Sequence, residues 1–209
     1  MSRPPARGER RVRAARSVVA TLNPDKLREL VALLPDDLGE FAGLAAFAGA
    51  AAPHETGATL EENALLKARA AVALTGLPAI ADDTGLEVDA LGGEPGVRSA
   101  RYAGEGAGYD ANVRKLMRRM EGVEPARRSA RFRTVCVACD PDRPPIVAEG
   151  ALEGRITETP RGAGGFGYDP VFEVAGTGRT LAELSFAEKS ALSHRAAAVA
   201  NLVRKLRET

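Results

Sequence analysis

Residues 78–93, "PAIADDTGLEVDALGG", decide how this chain is read. An apolar run of Ala79, Ile80 and Ala81 ends on two adjacent carboxylates, Asp82 and Asp83, followed by Thr84 and Gly85. A short apolar run after proline reads as a buried strand, "AIADD", with "LEVDAL" as a second strand beyond the glycine. Neighbours on a strand point to opposite faces, so one acid enters a given cleft and the other faces away. Two adjacent carboxylates repel each other and cost solvation free energy when buried, which water, a cation or a reaction must offset.

Upstream lies "TLEENALLKARAAVALTG" (59–76), a strong helical pattern stopped by Gly76 and Pro78. Before it, "SVVAT" (17–21) is β-prone, and "LNPDKLRELVALL" (22–34) carries Leu27, Leu30, Val31 and Leu34 at helical spacing. Residues 39–58 are rich in Gly and Ala and suggest a strand and a loop. Downstream, "YDANVRKLMRRMEGV" (109–123) is an amphipathic helix, and "ARFRTVCVACD" and "PIVAEGALEGRIT" form paired strands around a "PDRPP" turn. A Gly-rich segment (160–178) surrounds a short strand, and the chain ends on helical residues 184–208. Strands and helices interleave, but a hairpin is present. The expected fold class is therefore α/β with a mixed rather than purely parallel sheet.

Composition narrows the field. The 209 residues fit one domain, and 44% hydrophobic residues can bury a substantial core. Lys and Arg number 29 against 28 Asp and Glu, so global charge favours neither a nucleic-acid nor a membrane partner. No apolar run approaches the ~20 residues of a membrane-spanning helix. Tryptophan is absent and aromatics are 4%, which weakens a base-stacking platform for single strands. Cys136 and Cys139 form a CxxC, but three residues apart on a strand they face opposite ways, and no second pair completes a zinc site. They read as core residues of a reduced, cytoplasmic protein. Residues 1–16, with six Arg and two Pro, read as a disordered tail preceding a single domain at 17–209. The tail lacks the apolar centre of a signal peptide.

Four constellations could carry chemistry. In "TLNPDK", Asn23 is an N-cap and Pro24 the first helical residue, while Lys26 in the first turn works against the helix dipole. An anion bound at that helix start explains the lysine; a solvated surface lysine is the plain alternative. Thr59 and Glu62 have capping-box spacing, which accounts for Glu62 structurally, although a carboxylate there could also hold a divalent cation together with an acid of the Asp82–Asp83 pair. "GAGGFG" (162–167) matches G-x-G-x-x-G in letters but lacks the strand before and helix after that a dinucleotide site requires. It reads instead as a flexible wall carrying Phe166, Tyr168 and Asp169. In "EKSALSHR", one unbroken helix would splay Lys189 away from His194 and Arg195. A break with a new helix capped by Ser193 brings the three together.

In that order, "TLNPDK", "TLEENALLKA", "IADDTGLEVDALGGEPGVRSARYAG", "GGFGYDPVF" and "AELSFAEKSALSHRAA" resemble the inosine triphosphate pyrophosphatase family, over nearly the whole chain from Ser17. The resemblance implies an elongated mixed β-sheet flanked by helices, with two lobes and a cleft between them. It also implies a homodimer, and Mg²⁺-dependent hydrolysis of ITP, dITP or XTP to the monophosphate and pyrophosphate. By the family pattern Thr21, Asn23 and Lys26 hold the triphosphate, and Glu62 assists the metal. Asp83 is metal ligand and proton acceptor. Thr84 stands where Ser is more usual and contacts substrate. Phe166, Gly167, Tyr168, Asp169, Lys189, His194 and Arg195 contact base and phosphates. Leu22 and Ala196 depart from the pattern, as does the Arg-rich tail, without removing a charged group. Two other readings share parts of this chemistry: a house-cleaning pyrophosphatase for modified pyrimidine nucleotides, and nucleic-acid binding through the tail. Carboxylates at Glu62 and Asp83 oppose a phosphate-backbone surface there.

Overall fold

The computed structural model describes residues 16–208. The tail expected at 1–16 lies, apart from Arg16, outside the described residues. One mixed sheet organises the rest. Its strands are β1 (Ser17–Val19), β2 (Phe41–Gly43), β3 (Ala79–Val88), β4 (Pro95–Gly96), β5 (Ser129–Asp140), β6 (Arg143–Ile156) and β7 (Phe172–Val174), in the order β2-β1-β3-β5-β6-β7 with β4 against β3. β1 runs parallel to β2 and β3, whereas β3, β5, β6 and β7 alternate in direction. The expected mixed sheet is present.

The two strands expected around Gly85 are one. The ladder with β5 continues from Ala79 opposite Cys139 to Val88 opposite Ala130 without interruption. Gly85 does not break it; it admits a close approach, since a Cβ there would sit 2.8 Å from the Gly96 carbonyl oxygen on β4. The "PDRPP" turn is also tighter than expected. Asp140 pairs with Arg143 after a register shift, and Pro144 and Pro145 fall within the exposed start of β6.

Five helices pack on this sheet: α1 (Pro24–Leu33), α2 (Leu60–Thr75), α3 (Tyr109–Arg119), α4 (Phe186–Leu192) and α5 (His194–Arg207). Alternation along β3 sorts them. Ala79 and Ala81 join Val135, Val137 and Cys139 beneath Ala64, Ala68 and Ala71 of α2. Ile80 and Cys136 face the other way, against Leu30 of α1 and Ala198, Val199 and Leu202 of α5. The two cysteines thus enter different cores, and both are free and buried. α5 comes down directly on β6 at Gly150, where a Cβ would lie 2.3 Å from the Ala198 nitrogen. A third core, built on Leu86, Phe132, Leu116, Tyr168 and Phe172, closes the far end of the sheet around α3. The break at Ser193 is as expected: α4 ends at Leu192, and the Ser193 side chain accepts from Ala196 N to cap α5.

Candidate active site

A cavity of about 280 Å³ opens where the C-terminal half of β3 meets the starts of α1, α3 and α5. Its wall contains Thr21, Asn23, Lys26, Asp83, Thr84, Phe166, Gly167, Tyr168, Asp169, Lys189, His194 and Arg195. These segments are far apart in sequence, and the fold brings them together. Glu62 is not in that wall. Its carboxylate accepts from the backbone of Ala58 at 2.6 Å and Thr59 at 3.3 Å, completing the capping box of α2.

At one end the start of α1 faces the cavity. Asn23 Oδ1 accepts from the backbone N–H of Asp25 (2.9 Å) and Lys26 (3.2 Å), and Thr21 Oγ1 accepts from Asn23 N (3.1 Å). Burial lowers the Lys26 pKa from its ordinary value, against the opposing attraction of Asp82.

The two aspartates diverge as alternation requires. Asp83 points toward α2, where its Oδ1 accepts from Lys67 Nζ at 2.7 Å and its Oδ2 lies 3.5 Å from Asn63 Nδ2. Lys67 also donates to Glu55 at 3.2 Å, and Arg101 holds the same glutamate at 3.0 Å. Burial would lower the Lys67 pKa, but Asp83, Asp82 and Glu55 outweigh it and raise the value. Glu55 is pushed down: burial raises it, and the charge of Lys67 more than reverses that.

Asp82 points to the α1–α5 side and is buried. Its Oδ2 accepts from Arg195 Nε at 3.0 Å and lies 3.3 Å from Lys26 Nζ and 3.2 Å from Thr84 Oγ1. Although burial favours the neutral acid, the charges of Lys26 and Arg195 hold this carboxyl well below the usual range. Arg195 also pairs with Glu29, which binds Lys189 at 2.7 Å; Lys189 reaches Asp169 at 2.5 Å. Burial raises the Asp169 pKa against that pairing. The expected cluster of positive charge is therefore present but matched, carboxylate by carboxylate. His194 stacks on Phe132 with ring centres 4.6 Å apart, and its Nδ1 lies 2.7 Å from Thr134 Oγ1, which in turn contacts Thr84 Oγ1 at 2.7 Å. Burial, reinforced by Arg195 and Lys189, keeps this imidazole neutral at pH 7.

Four cavity or adjoining residues escaped sequence reading: Glu29, Glu55, Lys67 and Tyr109. Lys67 left a signal. Leu60, Asn63, Ala64, Ala68 and Ala71 form the buried face of α2, and Lys67 falls four residues after Asn63 on that stripe. A lysine on an apolar stripe asks for a carboxylate partner. Glu29, Glu55 and Tyr109 left none, because their partners lie 166, 12 and 86 residues away respectively.

Known proteins resemble this chain over most of its length. The dITP/XTP pyrophosphatase of Methylococcus capsulatus is 53% identical over 192 residues, covering 91% of this chain and 95% of that protein. That of Elusimicrobium minutum is 49% identical over 194 residues, with coverages of 91% and 98%. Among solved structures, a HAM1 protein from Coxiella burnetii superposes with a TM-score of 0.83 at 42% identity, covering 93% of this chain and 100% of its own. The Ham1 family profile matches residues 17–205, and on these similarities the chain belongs to the Ham1 family.

Proposed function

We propose that this protein hydrolyses non-standard purine nucleoside triphosphates (dITP, XTP and ITP) to the monophosphate and pyrophosphate. The observation that carries the reading is the convergence of Asp83, Glu55, Lys26, Lys67 and a helix start in a cavity that also carries the aromatic ring of Phe166. The names of the similar proteins give dITP and XTP.

The triphosphate lies at the α1 end, where the positive end of the helix dipole, Lys26 and Lys67 offset its charge. The base lies toward Phe166. A water attacks the α-phosphorus, Asp83 orients it and takes its proton, and the bond to the bridging oxygen breaks so that pyrophosphate departs. Lys26 and Lys67 neutralise charge building on the leaving group. Lys67 also fixes the Asp83 rotamer through Oδ1.

Among the described residues there is no group of three carboxylates, histidines or cysteines placed to hold a metal ion. That fits Mg²⁺, which needs only one or two protein carboxylates beside substrate phosphates and water. Asp83 and Glu55, which share Lys67, would hold the ion, while Glu62 turns its Oε2 to the helix cap. Bound there, Mg²⁺ would neutralise phosphate charge. Base choice falls to buried donors facing the 6-oxo group, which adenine lacks. Work in the cytoplasm as a homodimer belongs to the same reading, and sedimentation tests the dimer.

The deciding experiment measures Mg²⁺-dependent pyrophosphate release from dITP, XTP, ITP, dATP, dGTP, dUTP and methylated nucleotides. Release confined to dITP, XTP and ITP supports the reading. Preference for a pyrimidine overturns it.

A further inference from the structure

Tyr109 is the first residue of α3 and remains 40% exposed, an aromatic ring left open at the cavity wall. It touches both ends of the site. Its hydroxyl oxygen lies 2.8 Å from Asn23 Nδ2 at the phosphate end, and its ring centre lies 5.7 Å from that of Phe166 at the base end. The direction of the hydrogen bond is fixed by the helix cap. Asn23 Oδ1 already accepts two backbone N–H groups of α1, so the amide cannot flip, and its NH₂ must face Tyr109. The tyrosine oxygen is therefore the acceptor. Its own proton is left to donate, and among the described residues nothing accepts it.

Resting on the function proposed above, we infer that Tyr109 is a substrate-positioning residue that spans the middle of the bound nucleotide and donates its hydroxyl proton to an oxygen of the sugar–α-phosphate segment. A nucleotide with its triphosphate at Asn23 and its base at Phe166 must pass its sugar beneath this ring. A neutral hydrogen bond of this kind strengthens ground and transition states alike, so its loss appears in KM rather than kcat.

The test compares wild type with Tyr109→Phe, which keeps the ring, and Tyr109→Ala, which removes it. For Tyr109→Phe, KM for dITP should rise about threefold to tenfold with kcat within about twofold and the melting temperature unchanged. Tyr109→Ala should raise KM further. Independently of turnover, calorimetry with inosine monophosphate should show the same loss for Tyr109→Phe, while pyrophosphate affinity stays within about twofold. An unchanged KM and monophosphate affinity overturns the inference. So does an equal loss for monophosphate and pyrophosphate, which would place the effect on Asn23 alone. If wild type hydrolyses none of the purine triphosphates, the function proposed above fails, and the two binding measurements still decide the role of Tyr109.

Discussion

Asp82 and Asp83 share one strand, one chemistry and adjacent positions, yet the two faces of β3 treat them differently. On the α2 face, Asp83 meets Lys67 beside the cavity and keeps an oxygen toward Asn63 at a long 3.5 Å. On the α1–α5 face, Asp82 is locked by Arg195, Lys26 and Thr84, and the network continues through Glu29 and Lys189 to Asp169. Asp83 belongs to the cavity wall, whereas Asp82 turns Oδ2 to all three of its partners and, among the described residues, leaves its buried Oδ1 without one. The pair teaches that the surroundings of each acid are set by what packs on its face of the strand.

The comparison breaks most visibly in turnover. Asp83→Asn should lower kcat for dITP about 10²- to 10⁴-fold, the range for removing a general base, with little change in melting temperature. Full activity in that variant would remove Asp83 from the reaction. Asp82→Asn should do the opposite. Leaving Arg195 and Lys26 buried beside a neutral group should cost about 3–5 kcal/mol of stability in urea unfolding. A stable Asp82→Asn protein would show that the network holds without its central acid.

The same buried face makes stability depend on pH. His194 has a folded pKa well below its ordinary 6.5, so below that pH the unfolded chain binds a proton that the folded chain refuses. Stability should be highest above pH 6.5 and decline as pH falls below it, by at most about 1.4 kcal/mol per pH unit from this residue. Urea midpoints between pH 8 and 5 measure the slope, which His194→Gln should flatten. The smallest effect is expected at Glu62. Glu62→Gln should change stability by about 1 kcal/mol or less through the helix cap and leave kcat within about twofold. A hundredfold loss of activity would instead return Glu62 to the metal.

Much of this was legible in local sequence. The Asn23 cap, the Thr59–Glu62 box, the break at Ser193 and the opposite faces of Cys136 and Cys139 follow from spacing alone, because each depends on atoms within a few residues. The strand continuing through Gly85 was not legible, since the ladder to β5 and the close approach of Gly96 sustain it.

The sequence by itself determined that one acid of Asp82 and Asp83 would turn away from the other, because side chains alternate along a strand. Which acid joined the cavity wall, and which was locked into the charge network behind it, was decided by tertiary packing. α2 brought Lys67 to Asp83, with Glu55 of the preceding loop on the same lysine, and α1 and α5 brought Lys26 and Arg195 to Asp82, with Glu29 on the same arginine. The reason is range: caps and alternation act over one to four residues, whereas these charges are neutralised by partners up to 166 residues away, which only the closed fold can supply.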